Sequence, residues 1–186
     1  MLSARPQTKG VLTLVPSPEG SAGGPIDLDE AFRRYAPLVA SISFRILGAH
    51  QDVEDVVQDV FLEARRWLSR IHDPGALKAW LITVATRTAR RRLRTRKLRM
   101  MLHLGDAPEY VDLADAGASP RQRALLGEIY RVLDRLPVEE RLAWTLRLVE
   151  GQSLPEIAQH CGCSLATVKR RVASAQRTLS EALADE

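Results

Sequence analysis

The segment that decides the fold, Ser153–Leu179, reads SLPEIAQHCGCSLATVKRRVASAQRTL. Ser153 is followed three residues later by Glu156, a spacing typical of the capping box that begins a helix. Gly162 suits a tight turn that needs a positive φ, and Ser164 is a good N-cap for the next helix. The segment therefore predicts two helices joined by a tight turn, a helix-turn-helix.

The second helix of this pair has two different faces. Its apolar stripe, with spacings of three and four residues, consists of Val168, Val172, Ala175 and Leu179. A basic helix presented in this way can enter the major groove of DNA, where Arg pairs with guanine. The alternative is a helical hairpin that has only a basic exposed face. We predict DNA contacts for the six polar residues outside the stripe: Ser164, Thr167, Lys169, Arg170, Arg171 and Ser174.

The composition is that of a helical protein with a polyanionic partner. The 186 residues carry a formal net charge of +4, and 45% are hydrophobic but only 5% aromatic. The two cysteines, Cys161 and Cys163, flank the turn glycine. Their spacing is too tight for a usual structural zinc site and no second cluster of ligands exists, so we interpret them as packing residues rather than as a zinc or redox site. We expect no cofactor, no metal and no catalytic residue.

Three further helices are predicted before the helix-turn-helix domain. The first begins near Asp27 or Asp29 and ends near Leu47, with Gly48 as its stop. The second has Asp52 as its N-cap. The third runs from about residue 77 to 98 or beyond, after a short turn in which Asp73 can cap and Pro74 suits the first helical position. The apolar stripes of these helices are expected to contain, among others, Phe32, Tyr35, Leu38, Val39, Ile42, Ile46, Trp67 and Trp80, with both tryptophans in the core.

The chain as a whole is predicted to be all-α. We expect two small helical domains, residues 27–99 and 120–186, joined by a flexible acidic linker at residues 100–119 and preceded by a flexible leader at residues 1–26. The second domain is expected to hold helices that begin at Pro120 and at Pro137. No apolar run approaches the ~20 residues that a membrane span requires, so we expect no membrane insertion.

The helix after Asp52 is acidic, and we call it the acidic helix. Asp55, Gln58 and Asp59 fall on its polar face. Paired carboxylates can perform acid–base catalysis, but here no nucleophile, orienting His or Gly-rich loop accompanies them. We interpret the face as a protein-docking surface, with an ordinary solvated face as the alternative.

The helix at residues 77–98 becomes intensely basic in its second half, and we call it the basic helix. Like charges in successive turns repel one another unless an anion lies nearby. Phosphate binding is therefore our interpretation, and a solvated helix end stabilised by the helix dipole is the alternative. Eight cations fall between residues 87 and 99 with no acid among them: Arg87, Arg90, Arg91, Arg92, Arg94, Arg96, Lys97 and Arg99.

Over about residues 29–183 the assembled pattern resembles the extracytoplasmic-function (ECF) group of the sigma-70 family. DVEDVVQDVF at Asp52–Phe61 looks like conserved region 2.2, and AWLITVA at Ala79–Ala85 looks like region 2.3. LPVEER at Leu136–Arg141 and EGQSLPEIA at Glu150–Ala158 look like parts of region 4. The combination is specific, whereas the helix-turn-helix alone is shared with many regulators.

The resemblance implies roles for particular residues. Asp55, Gln58 and Asp59 match the motif that docks on the β′ clamp helices of RNA polymerase. The segment at about residues 71–77 corresponds to the loop that captures an unpaired base of the −10 element, and the basic helix after it supports melting. The sequence has Arg87 and Arg91 where the family often has Asn and Asp. For the −10 element and its backbone, the residues implied are His72, Asp73, Leu77, Arg87, Arg90, Arg91 and Arg94.

The same resemblance implies a function. The protein is expected to bind RNA polymerase core through the β′ clamp helices and the β flap, and to direct promoter-specific initiation by recognising −35 and −10 elements. Promoter DNA and an anti-sigma factor are its other implied partners, and the cytoplasm is its implied location. Two alternatives stay open: a helix-turn-helix regulator that does not engage core polymerase, and a nucleic-acid-processing enzyme that uses the carboxylates of the acidic helix.

Overall fold

The computed structural model describes residues 27–71, 73–104 and 119–184. Every regular element in these ranges is helical, which confirms the all-α prediction. Short 3₁₀ turns occur at His50–Asp52 and Leu68–Arg70, and a π-helical turn occurs at Thr145–Val149. The α-helices are α1 (Leu28–Leu47), α2 (Val53–Trp67), α3 (Pro74–Met101), α4 (Pro120–Arg135), α5 (Val138–Trp144), α6 (Leu154–Cys161) and α7 (Leu165–Ala184).

The N-terminal half is a bundle of α1, α2 and α3, each packed against the other two. The helix α1 ends as predicted: Gly48 adopts φ 73°, and its N–H donates to the Phe44 carbonyl at 2.7 Å. The prediction that Phe32 lies in the core is wrong, because Phe32 is 47% exposed. Its ring stands edge-on to Phe61 with centroids 4.8 Å apart, at the rim of the bundle.

The starts of α2 and α3 differ in how they are capped. Asp52 stands at the N-cap position of α2, as predicted, but it lies in a 3₁₀ turn and its side chain accepts no hydrogen bond from the start of the helix. Asp73 caps α3, with its two carboxylate oxygens accepting from the N–H groups of Gly75 and Ala76, each at 3.0 Å. Because α3 already begins at Pro74, Leu77 lies in the helix and is fully buried rather than in an exposed loop.

The C-terminal half contains α4 to α7. Ser119 and Gln122 form a capping box at the start of α4, which the sequence analysis did not identify. The helix α7 packs against α4, α5 and α6. Part of its buried stripe, Ala175 and Leu179, joins a small core around Tyr130 and Leu133.

The two halves pack against each other. Leu142, Leu146 and Ile157 of the C-terminal half are fully buried in the same apolar cluster as the core of the N-terminal bundle. The contacts run from α3 to α5 and α6, and from α1 to the π-helical turn. Residues 105–118, most of the predicted linker, lie outside the described residues, as does the predicted leader.

Within the described ranges, no helix combines the length and the apolar character needed to cross a membrane.

Candidate nucleic-acid interface

The helix-turn-helix forms as the sequence predicts. The Ser153 N–H donates to Glu156 Oε2 at 2.8 Å, and the Glu156 N–H donates to Ser153 Oγ at 3.4 Å. The Ser153 hydroxyl, which donates to Glu156 Oε2 at 2.6 Å, and the Ser153 N–H together lower the pKa of the Glu156 carboxyl. Gly162 takes φ 62° between α6 and α7, and the Thr167 N–H donates to Ser164 Oγ at 3.2 Å. All three cap and turn residues therefore have the local role expected of them.

The candidate base-reading residues lie on α7 or at its N-cap, but they differ in availability. Lys169 and Arg170 are exposed and make no ion pair with any other described residue. Arg171 is only half-exposed, and donates to Cys163 Sγ at 3.4 Å. Ser164 and Thr167 are joined by a hydrogen bond of 2.9 Å. Lys169 and Arg170 are consequently the cations of this face that can meet DNA without rearrangement.

The cysteines support the packing interpretation. Cys161 is buried, and that burial raises the pKa of its thiol to about 12. A thiol with so high a pKa is protonated at neutral pH and is a poor nucleophile and metal ligand. Among the described residues, no group of three or more His, Cys, Asp or Glu side chains could hold a metal ion.

Carboxylates of the acidic helix form ion pairs with arginines of the basic helix at several positions. Arg91 donates to Asp59 at 2.9 Å, and Arg92 donates to Asp55 at 3.2 Å and to Asp59 at 3.4 Å. Arg87 pairs with Glu63. Such partly exposed pairs contribute only about 0–1 kcal/mol each, so a phosphate or a protein partner can replace either side at little cost.

Two other arginines of the basic helix pair with the C-terminal half. Arg90 and Arg94 both donate to Glu139 Oε1, at 2.6 and 2.7 Å. Arg171 of α7 lies 3.6 Å from the other oxygen of the same carboxylate. Sequence reasoning missed Glu139 because its partners are 32 to 49 residues away along the chain.

The end of the basic helix also has partners across the two halves. Arg96 donates to the Leu47 carbonyl at 2.9 Å, and Lys97 donates to the Leu136 carbonyl at 2.9 Å. The prediction that all eight cations bind phosphate therefore does not hold for Arg96 and Lys97, whose side chains donate to backbone carbonyls elsewhere in the fold.

The docking face of the acidic helix borders an open apolar groove. Asp55 and Gln58 are exposed and Asp59 is half-exposed. Next to Gln58, a groove of about 550 Å³ runs between α1 and α2, lined in its apolar part chiefly by Leu28, Phe32, Val57, Phe61 and Leu62. The three predicted docking residues thus lie on one helix, and one of them lines an apolar surface that a partner could cover.

Three of the residues predicted to contact the −10 element, His72, Asp73 and Leu77, lie at or near the start of α3. His72 lies outside the described residues, Asp73 is engaged as the cap of α3, and Leu77 is buried. Trp67, predicted to be in the core, is 42% exposed with the Arg70 guanidinium 4.7 Å from the centre of its ring.

Comparison with known proteins gives consistent matches over both halves. Residues 31–99 match the family Sigma-70 region 2, and residues 126–179 match the family Sigma-70, region 4. The ECF RNA polymerase sigma-E factor of Escherichia coli K12 is 32% identical over 155 residues, which are 78% of this chain and 81% of that protein. The ECF RNA polymerase sigma factor SigE of Mycolicibacterium smegmatis is 30% identical over 160 residues, 84% of this chain and 61% of that protein.

Solved structures of sigma factors also superpose on this chain. The sigma factor RpoE of Bartonella quintana, crystallised with the anti-sigma factor NepR, superposes with a TM-score of 0.63 at 26% identity. That alignment covers 84% of this chain and 96% of the other. The extracytoplasmic function sigma factor SigJ of Mycobacterium tuberculosis superposes with a TM-score of 0.54 at 25% identity, covering 83% of this chain and 53% of that one.

Proposed function

The chain belongs to the extracytoplasmic-function sigma factors of the sigma-70 family, and on that premise we propose how its surfaces bring RNA polymerase core to promoters. It is a sigma factor that directs promoter-specific transcription. The observation that carries the residue-level proposal is the helix-turn-helix with Lys169 and Arg170 exposed on its second helix.

The division of labour follows the two matched regions. We assign residues 27–99 to core docking and the −10 element, 120–186 to the −35 element, 100–119 to a linker and 1–26 to a leader. The helix α3 runs to Met101 and so extends into the first residues of this linker. The C-terminal half also meets the β flap of polymerase in this proposal.

The −35 element is read by α7. Arg170 is placed to pair with a guanine edge and Lys169 to contact a base or a phosphate, with Ser164, Thr167 and Ser174 making shorter contacts. Arg171 joins them once it leaves Glu139. A bidentate Arg–guanine pair gives about 1–3 kcal/mol of discrimination against the wrong base.

Polymerase core binds the face of Asp55, Gln58 and Asp59. The exposed Asp55 and Gln58 and the adjoining apolar groove support this assignment, because a docking surface usually combines a polar rim with an apolar centre. The partner is the β′ clamp helices, and an anti-sigma factor that covers the same face would compete with them.

The −10 strand is held by the basic helix. Phosphates displace the carboxylates that now pair with Arg87, Arg90, Arg91 and Arg94. Asp73 acts by fixing the start of α3 rather than by touching a base, and Leu77 supports the helix from inside the core. Because Leu77 is buried, we leave it out of the proposed DNA contacts.

Sigma factors are not enzymes, and we propose that this chain performs no bond chemistry and acts in the cytoplasm beside polymerase. Labelled DNA incubated with the purified chain and Mg²⁺ should remain intact. Metal-dependent cleavage that Asp55→Ala and Asp59→Ala abolish would instead favour a processing enzyme.

The deciding experiment is transcription with purified core polymerase and a library of genomic fragments. We expect start sites that share two upstream elements, and their yield should fall with Asp55→Ala or Gln58→Ala. Gln51→Ala is the matched control, since Gln51 is exposed but precedes α2. Specific DNA binding without any transcript would replace this proposal with that of a regulator independent of core.

A further inference from the structure

A cavity lies between α2 and α3, beside two of the arginines proposed to hold the −10 strand. Its volume is about 450 Å³, within the range of about 300–1,000 Å³ that is usual for ligand sites. A single nucleotide is smaller than a drug-sized ligand, so the cavity has room for one. Its walls include Glu63, Arg66 and Trp67 of α2 and Arg87 and Arg91 of α3.

Trp67 is the aromatic wall of this cavity. It is the last residue of α2 and is 42% exposed, although tryptophan is on average a strongly buried residue. The Arg70 guanidinium lies 4.7 Å from the centre of the ring, close enough for a cation–π contact. Because the ring lines the cavity and keeps much of its surface exposed, it offers a flat apolar wall to a ligand.

The charged groups around the cavity favour an anion. Arg87 pairs with Glu63, and Arg91 pairs with Asp59 at 2.9 Å. Arg66 is exposed and forms no ion pair with another described residue. The lining therefore has three cations against two carboxylates. A guanidinium without a carboxylate partner is a good donor to phosphate oxygens.

An aromatic ring beside arginines is the combination by which many proteins bind single-stranded nucleic acid. Bases stack on the ring while the basic groups follow the phosphates, and this binding tolerates different base sequences. A base inside a duplex cannot stack on a protein ring in this way, because neighbouring base pairs already cover both of its faces. The cavity therefore fits an unpaired nucleotide rather than a duplex.

Two of the residues expected to touch the −10 element are not available to an unpaired base. Asp73 is engaged as the cap of α3, and Leu77 is fully buried. Trp80 is only half-exposed and packs against the apolar core. Of the aromatic residues that the structure describes, Trp67 alone lines the cavity.

We propose that Trp67 binds an unpaired base of the DNA strand by stacking, and that Arg66 contacts a phosphate of the same strand. The inference rests on the proposed function, since it names a base contact for the strand that the basic helix holds. The ligand of the cavity is thus a single nucleotide within a DNA strand. Helical periodicity assigned Trp67 to the core, so the sequence gave no sign of this role.

Fluorescence anisotropy with the free, full-length chain tests the proposal. The probe is a short labelled single strand of mixed sequence, and the comparison is its duplex. Trp67→Leu keeps an apolar side chain but removes the ring, and it should bind the single strand about 5- to 150-fold more weakly. Trp67→Phe keeps a ring and should lose much less, and all three chains should bind the duplex equally. Equal affinity of the wild type and Trp67→Leu for the single strand would overturn the proposal.

An abasic strand separates stacking from charge. It has the same phosphates but no bases, so the wild type and Trp67→Leu should bind it equally. Arg66→Gln should weaken both strands, because it removes a phosphate contact. Leu125→Ala is the matched control, since it removes a side chain of α4 that is also exposed, and it should change neither affinity. If Trp67→Leu weakens the abasic strand as much as the normal one, Trp67 does not act by stacking and the proposal is wrong.

The emission of Trp67 gives a direct spectroscopic measurement. Subtracting the spectrum of Trp67→Phe from that of the wild type separates Trp67 from Trp80 and Trp144. Stacking on a base quenches tryptophan emission, so the single strand should quench the difference spectrum to saturation and the abasic strand should not. Deoxycytidine monophosphate tests a free ligand. Quenching by this nucleotide at concentrations as low as those of the strand would make the cavity a site for free nucleotides and would overturn the assignment to DNA.

A failure of this inference is distinguishable from a failure of the proposed function. The binding and emission experiments contain no polymerase, whereas the proposed function fails only when core polymerase and genomic fragments give no promoter-dependent transcript. Far-ultraviolet circular dichroism should show the same helical content in Trp67→Leu as in the wild type. A chain that transcribes while Trp67→Leu binds the single strand normally keeps its function and loses Trp67 as a base contact.

Discussion

Replacement of Arg141 should show how strongly the packing of the two halves is stabilised. The guanidinium is 2% exposed, donates to two carbonyls of α1 and pairs with Asp134. Arg141→Gln removes the charge and leaves Asp134 without this partner. Breaking a buried ion pair by removing one member costs about 3–5 kcal/mol. The lower part of that range is expected, because Arg96 also donates to the Leu47 carbonyl.

The measurement is urea unfolding followed by far-ultraviolet circular dichroism. For a chain of this size a loss of about 3 kcal/mol corresponds to a Tm about 6–12 °C lower. Arg135→Gln is the control: Arg135 is exposed at the end of α4, and its replacement should change the free energy of unfolding by less than about 0.5 kcal/mol. A comparison of the m-values shows whether the unfolding transition keeps its cooperativity.

A loss below about 1 kcal/mol for Arg141→Gln would refute the reasoning. It would mean that Arg141 faces water in solution, and therefore that the two halves are already apart.

Three further predictions concern DNA binding and pH. Arg170→Ala should lose about 1–3 kcal/mol of discrimination at one position of the −35 element, measured by competition between single-base variants; a uniform loss over all sequences would make Arg170 a phosphate ligand. Replacing Arg90, Arg92 and Arg94 together by Gln should flatten the dependence of log K on log salt by up to about 2.7, since each phosphate contact contributes about 0.9; an unchanged slope would exclude phosphate contacts. Burial lowers the pKa of His160, so the neutral ring is favoured in the folded chain, and its contribution to stability, complete above the ordinary pKa of 6.5, is lost as the pH falls through the lowered value. Unfolding at pH 5 to 7 should show this loss, and His160→Gln should remove it; an equal pH dependence in the variant would assign the effect to other groups.

Sequence alone predicted those features whose causes are local. The Ser153 capping box, the left-handed Gly162 and the Ser164 cap each depend only on residues within four positions along the chain. The local sequence is therefore enough to predict them. The end of α1 at Gly48 followed for the same reason. These features were enough to locate the helix-turn-helix and the candidate residues on its second helix.

Features that depend on neighbours distant in sequence were missed or misjudged. The cations between residues 87 and 99, with no acid among them in the sequence, were predicted to bind phosphate, but Asp59 of α2 and Glu139 of α5 pair with several of them after folding. Phe32 continues a helical stripe in the sequence, yet it lies at the rim of the bundle and is 47% exposed. Helical periodicity predicts which face of a helix a residue lies on. It does not predict how far the neighbouring helix extends, and this decides whether the residue is buried.

Because Glu139 is shared, the two DNA elements should be thermodynamically linked. Whenever phosphate at the −10 strand takes Arg90 and Arg94 away from Glu139, the halves lose contacts that kept Arg171 from the −35 duplex. Linkage is reciprocal, so occupation of the −35 element must favour binding at the −10 strand by the same factor. The Glu139 carboxylate would then make promoter recognition cooperative. A DNA with only one of the two elements would be bound more weakly than its own contacts with the protein suggest.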